Sequence, residues 1–303
     1  MKICSLFDGF SGAQLALHKA GIEYDKYFAS EVDKPAIKIT QKNFPDTVQL
    51  GDVRDVSSAN LPQIDLLVGG SPCQGFSFAS KDRLNFDDPR SALFFEYVRL
   101  LKELKPKWFL LENVKMKKES EAAITDLLGV EPIEINSSLM SAQSRQRLYW
   151  TNIPVTVPDD KGIMLKDIIE CGHVDRDKSY CIDANYFRGG NLKRYFARSS
   201  RQLVFSDPVI VQRPRGANKG GIRAVDGKVP TLSASSWQYN NFLVYPDTLK
   251  FRKLTVKECE RLQTVPEGYT EGVSNTQRYK MLGNGFTVDV VAHILKGITD
   301  AKV

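Results

Sequence analysis

The sequence predicts an α/β protein: a doubly wound, mainly parallel sheet followed by a smaller region of short strands and loops. Two observations carry this. Over the first 155 residues, short apolar stretches alternate with stretches of helical spacing, the pattern of parallel strands joined by crossover helices. Near residue 154 the alternation stops. Residues 155–250 become rich in Gly, Pro, Ser and Asn, which punctuate turns and loops.

The elements follow in order. Residues 2–7 read as a strand, then a Gly-containing turn, then a helix over 13–20. A second strand covers 27–31 and a helix 34–43. Residues 65–68 form a short apolar strand ending in Gly69-Gly70. Over 91–104, Leu93, Phe94, Tyr97, Val98 and Leu101 recur at helical spacing, and 108–111 is a further strand. In the second region the strand candidates are 203–205, 209–211 and 242–244. Helical character returns over 255–262, where Thr255 and Glu258 have the spacing of a capping box, and a final helix is expected over 287–297.

Composition bounds the function. With 303 residues, 42% hydrophobic and 26% charged, the chain can bury a sizeable core and is not disordered. No apolar run approaches the ~18 residues of a membrane span, and the first ten residues do not read as a secretory signal. Five cysteines include no CxxC pair, which points to a reducing, cytoplasmic setting without a disulfide framework or metal site. The net charge of +6 is unevenly placed: residues 1–60 carry −1, 61–160 carry −2, 161–250 carry +7 and 251–303 carry +2. Within 185–223, nine basic residues face a single acid, Asp207, with Tyr186, Phe187, Tyr195, Phe196 and Phe205 interleaved. Such a stretch suits a nucleic-acid backbone or a solvated basic surface.

Three local patterns carry chemistry. Phe7-Asp8-Gly9-Phe10-Ser11-Gly12 lies between a strand and a helix, where backbone can approach a ligand. Glu31 ends the next strand, where an acid accepts ribose hydroxyls, and Asp52, between the helix at 34–43 and the strand at 65–68, is placed to accept from an adenine amino group. This adenosine site alone fits a nicotinamide enzyme as well as a methyltransferase. Next, Ser71-Pro72-Cys73-Gln74 follows a strand end, making Cys73 a candidate nucleophile. The following strand runs into Leu111-Glu112-Asn113-Val114, so Glu112 is expected to open onto the same crevice. Finally, if Gln143, Arg145 and Arg147 lie on a strand they share one face, and the two arginines would hold a polar, electron-rich substrate.

Taken together, and joined by Arg252-Lys253-Leu254-Thr255, Glu258, Arg261-Leu262-Gln263, Pro266, Tyr269 and Gly283-Asn284-Gly285-Phe286-Thr287, these motifs resemble the cytosine-C5 DNA methyltransferase family, in its compact bacterial or phage form. The resemblance covers nearly the whole chain. It departs at Ser11, where the family loop commonly has a second Gly, and it assigns no roles within 165–245.

The resemblance implies a Rossmann-like S-adenosylmethionine-dependent methyltransferase domain with a smaller, mostly β or irregular target-recognition domain. The catalytic domain would span 1–158 plus 283–303, and 159–282 would hold recognition and hinge. Phe7 would contact adenine, Glu31 the ribose, Asp52 the adenine amino group and Asn284 the methionine end. Asp8, Gly9, Phe10, Ser11, Gly12, Val32, Val53, Pro72 and Phe286 would complete the cofactor site. Toward the flipped cytosine would stand Ser71, Gln74, Ser77, Asn113 and Gln143. Cys73 would add to C6, Glu112 would protonate N3, and Arg147, aided by Arg145, would bind the O2 edge. Residues 75–90 would form a loop that closes over the base. Arg188, Arg194, Arg213 and Arg215, with Lys193, Arg198 and Lys219, would grip phosphates of double-stranded DNA. The resemblance further implies a monomer, with a cognate restriction endonuclease as a functional counterpart rather than a bound partner. A transfer-RNA cytosine methyltransferase and a non-catalytic DNA-binding relative remain alternatives.

Overall fold

In the computed structural model, which describes residues 1–71, 89–192, 195, 200–206, 209–212, 221–223, 242–244 and 251–301, the short apolar runs become a sheet buried on both faces. Its strands are β1 (Lys2–Leu6), β2 (Lys26–Ser30), β3 (Val48–Gln49), β4 (Leu66–Gly69), β5 (Trp108–Val114), β6 (Pro132–Asn136) and β7 (Gln146–Thr151), in the order β3-β2-β1-β4-β5-β7-β6. Pairing is parallel from β3 through β5, while β7 runs antiparallel to both β5 and β6. Alternate residues serve opposite faces. Ile3, Leu66, Val68, Leu110 and Tyr149 join one core, while Cys4, Leu6, Leu67, Phe109, Leu111, Leu148 and Trp150 join the other.

Helices cover both faces. The second core is closed by α3 (Pro89–Leu104) and α4 (Lys118–Leu128), which supply Phe94, Tyr97, Val98, Leu100, Ile124 and Leu128. The first is closed by α1 (Gly12–Lys19), α2 (Lys34–Asn43) and, from the far end of the chain, α8 (Val288–Asp300). In α8, Val288, Val291, Leu295 and Ile298 form the i, i+3, i+7, i+10 stripe of a helix packed on a core. Between these come α5 (Leu165–Ile168), β8 (Leu203–Phe205), β9 (Val209–Gln212), β10 (Gly221–Arg223), β11 (Phe242–Val244), β12 (Phe251–Lys253), α6 (Val256–Leu262) and α7 (Asn275–Asn284). Strands β10, β9 and β11 form one antiparallel sheet, and β12 pairs with β8. The expected strands at 203–205, 209–211 and 242–244 are present, and α6 has the expected capping box: Glu258 N donates to Thr255 Oγ1 at 3.1 Å and Thr255 N to Glu258 Oε2 at 2.7 Å.

The strand order reverses beside β1. The chain moves from β1 outward to β3, then returns to lay β4 on the other side of β1. In such a sheet the crevice lies beyond the strand C-termini at that reversal. Leu6, Gly69 and Leu111 are in register there, so residues 7, 70 and 112 all emerge at one end.

The turn from β1 to α1 is left-handed at Phe7, Gly9 and Ser11, with φ of 58°, 61° and 61°. For the two non-glycine residues this costs on the order of 1 kcal/mol each. The Asp8 carboxyl offsets it: buried beneath the turn, it accepts from Ser11 Oγ and, at 2.7 Å, from Tyr27 Oη. Ser11 thus takes a glycine-like conformation with a side-chain bond to hold it. Burial pushes the Asp8 carboxyl from an ordinary 3.8 up to about 6, with Glu31 adding to the rise and the Ser11 and Tyr27 hydroxyls opposing it.

A second turn, Gly283 to Thr287, joins α7 to α8. A Cβ on Gly283 would lie 2.2 Å from the Asp183 carbonyl carbon, and one on Gly285 would lie 2.2 Å from the Phe10 ring. Both glycines are therefore required by close approach.

Two outcomes are expected. Gly283→Ala forces backbone against backbone and lowers unfolding free energy by about 1–3 kcal/mol; unchanged denaturant midpoints would contradict the packing. Because the folded-state Asp8 carboxyl titrates above its unfolded value, its ionisation destabilises the fold as pH rises from about 4 to about 6. Asp8→Asn should therefore gain on wild type by up to about 3 kcal/mol between pH 4 and 7, at about 1.36 kcal/mol per pKa unit. A stability difference independent of pH would refute this.

Candidate active site

Strand β5 outruns β4, and that difference builds the centre of the site. Gly69 at the end of β4 pairs with Leu111, so Glu112, Asn113 and Val114 pair only with β7. Glu112 is therefore inside β5 rather than after it, yet it clears its parallel neighbour and faces the crevice end. Because β7 is antiparallel, it enters from that same end. Tyr149 lies opposite Glu112 and Arg147 opposite Val114, a diagonal neighbour on the same face. Arg147 Nε meets Glu112 Oε1 at 2.9 Å, with both side chains more than four-fifths buried. The Glu112 charge raises Arg147 further, against the opposing effect of burial. Burial, with Glu112 adding to it, likewise raises the Tyr149 phenol.

Around this pair stand the start of the Cys73 segment and the last turn. A Cβ built on Gly70 would fall 3.1 Å from the Phe286 ring and 3.4 Å from Glu112 Oε2, so Gly70, Phe286 and Glu112 meet at one point. Ser71 is buried, and its Oγ accepts from Asn113 Nδ2 at 3.1 Å. Asn113 Oδ1 accepts from Val114 N at 2.8 Å. Ser71 and Asn113 thus pin the entry to the segment that carries Cys73. Pro72, Cys73, Gln74 and Ser77, with the rest of the expected loop up to 88, lie outside the described residues, as do Lys193, Arg194, Arg198, Arg213, Arg215 and Lys219.

The adenosine-side residues gather at the tips of β1, β2 and β3. The Glu31 carboxylate accepts from Gly9 N at 2.8 Å, Val32 N at 2.7 Å and Asp33 N at 2.8 Å, which fixes it between the β1 turn and the start of α2. Beside it Val32 is 65% exposed, and a Cβ on Gly9 or Gly51 would meet no heavy atom within 4 Å. An acid held by backbone, an exposed apolar side chain and uncrowded glycine loops fit an adenosine moiety. Asp52 caps the 3-10 turn Val53–Asp55, accepting from Arg54 N at 3.0 Å and from the Arg54 guanidinium. Hydrogen bonds from Arg54 lower the Asp52 carboxyl to about 2, so it stands ionised and already shared with a cation.

Other expected site residues have partners within the fold. The Asp8 carboxyl turns inward to Ser11 and Tyr27, leaving only its backbone for the loop. Phe10 is buried: its ring meets Tyr269 edge-on at 5.9 Å, and Tyr269 Oη donates to Phe10 O at 2.8 Å. Val53 lies in the core of the α3 face. Gln143, Arg145 and Arg147 do not form one strand face, because β7 begins only at Gln146. Gln143 is fully buried, donating to Gln263 Oε1 at 3.1 Å and accepting from Ile182 N at 2.8 Å. The Arg145 guanidinium donates to the carbonyls of Ile182 at 3.1 Å, Gly283 at 3.2 Å and Gly285 at 3.0 Å. These two side chains close the fold around the last turn. Gly12 opens α1, Phe7 is half-buried, Asn284 is exposed at the end of α7, and Phe286 is buried beside Gly70. Arg188 is exposed, its guanidinium 5.2 Å over the Phe187 ring.

The sequence reading passed over Arg54, Tyr149 and Cys181. Tyr149 carries a signal, since it lies two residues from Arg147 on the same strand face. Cys181 approaches both Arg145 and Arg147, and nothing local announces that contact.

Comparison with known proteins gives the family. The model of the C-5 cytosine-specific DNA methylase family matches residues 1–126 and 117–300. The chain is 32% identical to the type II methyltransferase M1.ScrFI of Lactococcus lactis subsp. cremoris, over 96% of this chain and 76% of that one. It is 44% identical to the orphan methyltransferase M.SPRI of Bacillus phage SPR, over 98% and 97%. Among solved structures, DNMT2 of Spodoptera frugiperda shares the fold with a TM-score of 0.65 at 20% identity, covering 98% of this chain and 99% of that one. Among the described residues no helix is long and apolar enough to cross a membrane. The reversal of strand order beside β1, the paired Glu112 and Arg147 at its crevice and the near full-length family match make the chain an enzyme of the C-5 cytosine-specific DNA methylase family.

Proposed function

We propose that the protein transfers a methyl group from S-adenosylmethionine to C5 of a cytosine flipped out of double-stranded DNA, through a transient bond between Cys73 and C6. The observation that carries this reading is the Glu112–Arg147 pair at 2.9 Å, an acid and a fork of donors side by side where a pyrimidine offers N3 next to its O2 carbonyl. The bound cofactor supplies an electrophilic methyl group on a sulfonium. Glu31, Val32 and the backbone of residues 7–12 would hold its adenosine, with Asn284 and Phe286 toward the reacting end.

The chemistry explains why these groups are needed. C5 of cytosine is a weak nucleophile. Addition of the Cys73 thiolate to C6 makes the ring enamine-like, and a thiol is the side chain readiest to provide the anion near neutral pH. Glu112, which must carry a proton once Arg147 has turned from it to O2, donates that proton to N3 and so absorbs the electron pair pushed into the ring. Arg147 turns its donors to O2, exchanging part of its bond to Glu112 for the carbonyl oxygen. C5 takes the methyl group; a base then removes the C5 proton, the electron pair expels the thiolate, and N3 returns its proton to Glu112. Ser71 and Asn113 fix the base of the Cys73 segment.

The C6 carbon is out of reach in a stacked duplex, so the base must leave the helix. In this reading residues 1–158 with 283–303 form the catalytic lobe, and 159–282 the recognition lobe and hinge. The +7 charge of 161–250 supports phosphate contact from that lobe, Arg188 among its candidates. We place the protein in the cytoplasm as a monomer.

Incubation with duplex DNA bearing 5-fluorocytosine should trap a protein–DNA adduct that survives denaturation, and Cys73→Ser should abolish it. Absence of the adduct with the wild-type chain would sink the covalent route. Glu112→Gln should slow methylation about 10²–10⁴-fold while DNA affinity stays within a few-fold; equal losses of both would make Glu112 a binding residue. Labelled methyl entering transfer RNA but not DNA would reverse the choice of polymer.

A further inference from the structure

The Arg147 guanidinium is held on three sides. Its Nε meets Glu112 Oε1 at 2.9 Å, its Nη1 donates to Gln146 O at 2.8 Å, and its Nη2 reaches the sulfur of Cys181 at 3.9 Å. The first two partners are its own strand and its cross-strand neighbour. The third comes from a segment 34 residues along the chain, beyond the sheet. The same sulfur accepts from Arg145 Nη1 at 3.3 Å, and its own S–H points to Ile182 O at 3.5 Å. Cys181 is a free thiol, partly exposed.

This thiol therefore sits between two guanidinium groups of unequal freedom. Arg145 is buried and committed to the carbonyls of Ile182, Gly283 and Gly285, so it cannot move without opening the last turn. Cys181 is fixed against that immobile cation, and through it the outer nitrogen of Arg147 is fixed as well. Sulfur is a weak acceptor, so a carbonyl oxygen arriving at Arg147 displaces it at little cost. A weak, well-placed acceptor is suited to presetting a donor that must later be surrendered to substrate.

We propose that Cys181 is a positioning residue for the methyl-transfer reaction. It would orient Arg147, and through it Glu112, toward the pyrimidine edge, and tie that orientation to the 181–184 segment on which Gly283 packs. This rests on the reading of Arg147 as the O2-edge donor.

The test compares single-turnover methylation of duplex DNA, at saturating DNA and S-adenosylmethionine, in wild type, Cys181→Ala, Cys181→Ser, Arg147→Lys and the Cys181→Ala/Arg147→Lys double variant. Misplacement of a reacting group by about 1 Å costs up to about 10²-fold, so Cys181→Ala should slow the step about tenfold while the Kd for DNA, measured separately, stays within about twofold. Cys181→Ser, which keeps a donor and an acceptor, should recover to within about threefold. In the Arg147→Lys background the alanine change should have less than about a twofold effect, because the fork it serves is gone. An alanine variant at wild-type rate overturns the proposal, as does a loss of equal size in both backgrounds, or one that follows thermal stability and appears equally in serine. If the alanine variant does not fold, Cys181→Val repeats that arm; if neither folds, the role is structural and the proposal fails. A wild-type chain that methylates no DNA condemns the proposed reaction instead, which separates the two failures.

Discussion

The structure depends on a buried polar clasp around the turn from Gly283 to Thr287. Gln263 donates to Leu282 O at 2.5 Å and to Gly285 O at 3.2 Å, and its Oε1 accepts from both Gln143 Nε2 and Thr287 Oγ1. Ser137 Oγ bonds Thr287 Oγ1 at 2.9 Å, and Arg145 binds the Gly283 and Gly285 carbonyls from the other side. Buried backbone polar groups must be paired, and here the turn is paired by side chains between β6 and β7, more than a hundred residues away, and by Gln263 at the end of α6. The clasp directs α8 onto α1 and sets Phe286 beside Gly70. Without it the face carrying Ile3, Leu66 and Leu110 would lack its outer helix, and the crevice would lack a wall.

The same economy recurs in the blocks between 252 and 278. Glu258 is fully buried and binds Arg252, Thr255 N and Glu170 N. Glu260, equally buried, binds Gly268 N, Thr270 and Arg278. A buried charge left without its partner costs several kcal/mol, so these acids and arginines are interdependent. They hold α6 and α7 beside the crevice where Glu112 and Arg147 meet. The residues that mark the family in this stretch are thus mainly architectural.

Much of the α/β framework was legible, because strands buried on both faces are continuous apolar runs and their ends carry the Gly loop, Glu31 and Glu112. Less visible was α4, where only Ile124 and Leu128 are buried, or α7, whose sequence is mostly polar, because neither shows a broad apolar stripe. The Gln143–Arg147 reading assumed one extended strand, and periodicity has no means of locating where β7 begins. Polar residues needed to bind substrate and polar residues needed to close a buried turn look alike in sequence. Partners decide between them, and for Gln143, Arg145 and Cys181 the partners are distant in the chain. The departure at Ser11 likewise becomes intelligible only with the Asp8 carboxyl beneath it.

The packing of α8 on α1 also bears on how the molecule is made. These helices are more than 260 residues apart in sequence, and contacts of such long sequence separation form slowly. Synthesis proceeds from the N-terminus, so β1 through β7 can pair on the ribosome while one face of their sheet still awaits the residues after 287. A nascent chain would carry that uncovered apolar face through the synthesis of the whole intervening region. Completion of that core is thereby deferred until the residues after 287 have emerged, and the uncovered sheet is where chaperones would be expected to engage.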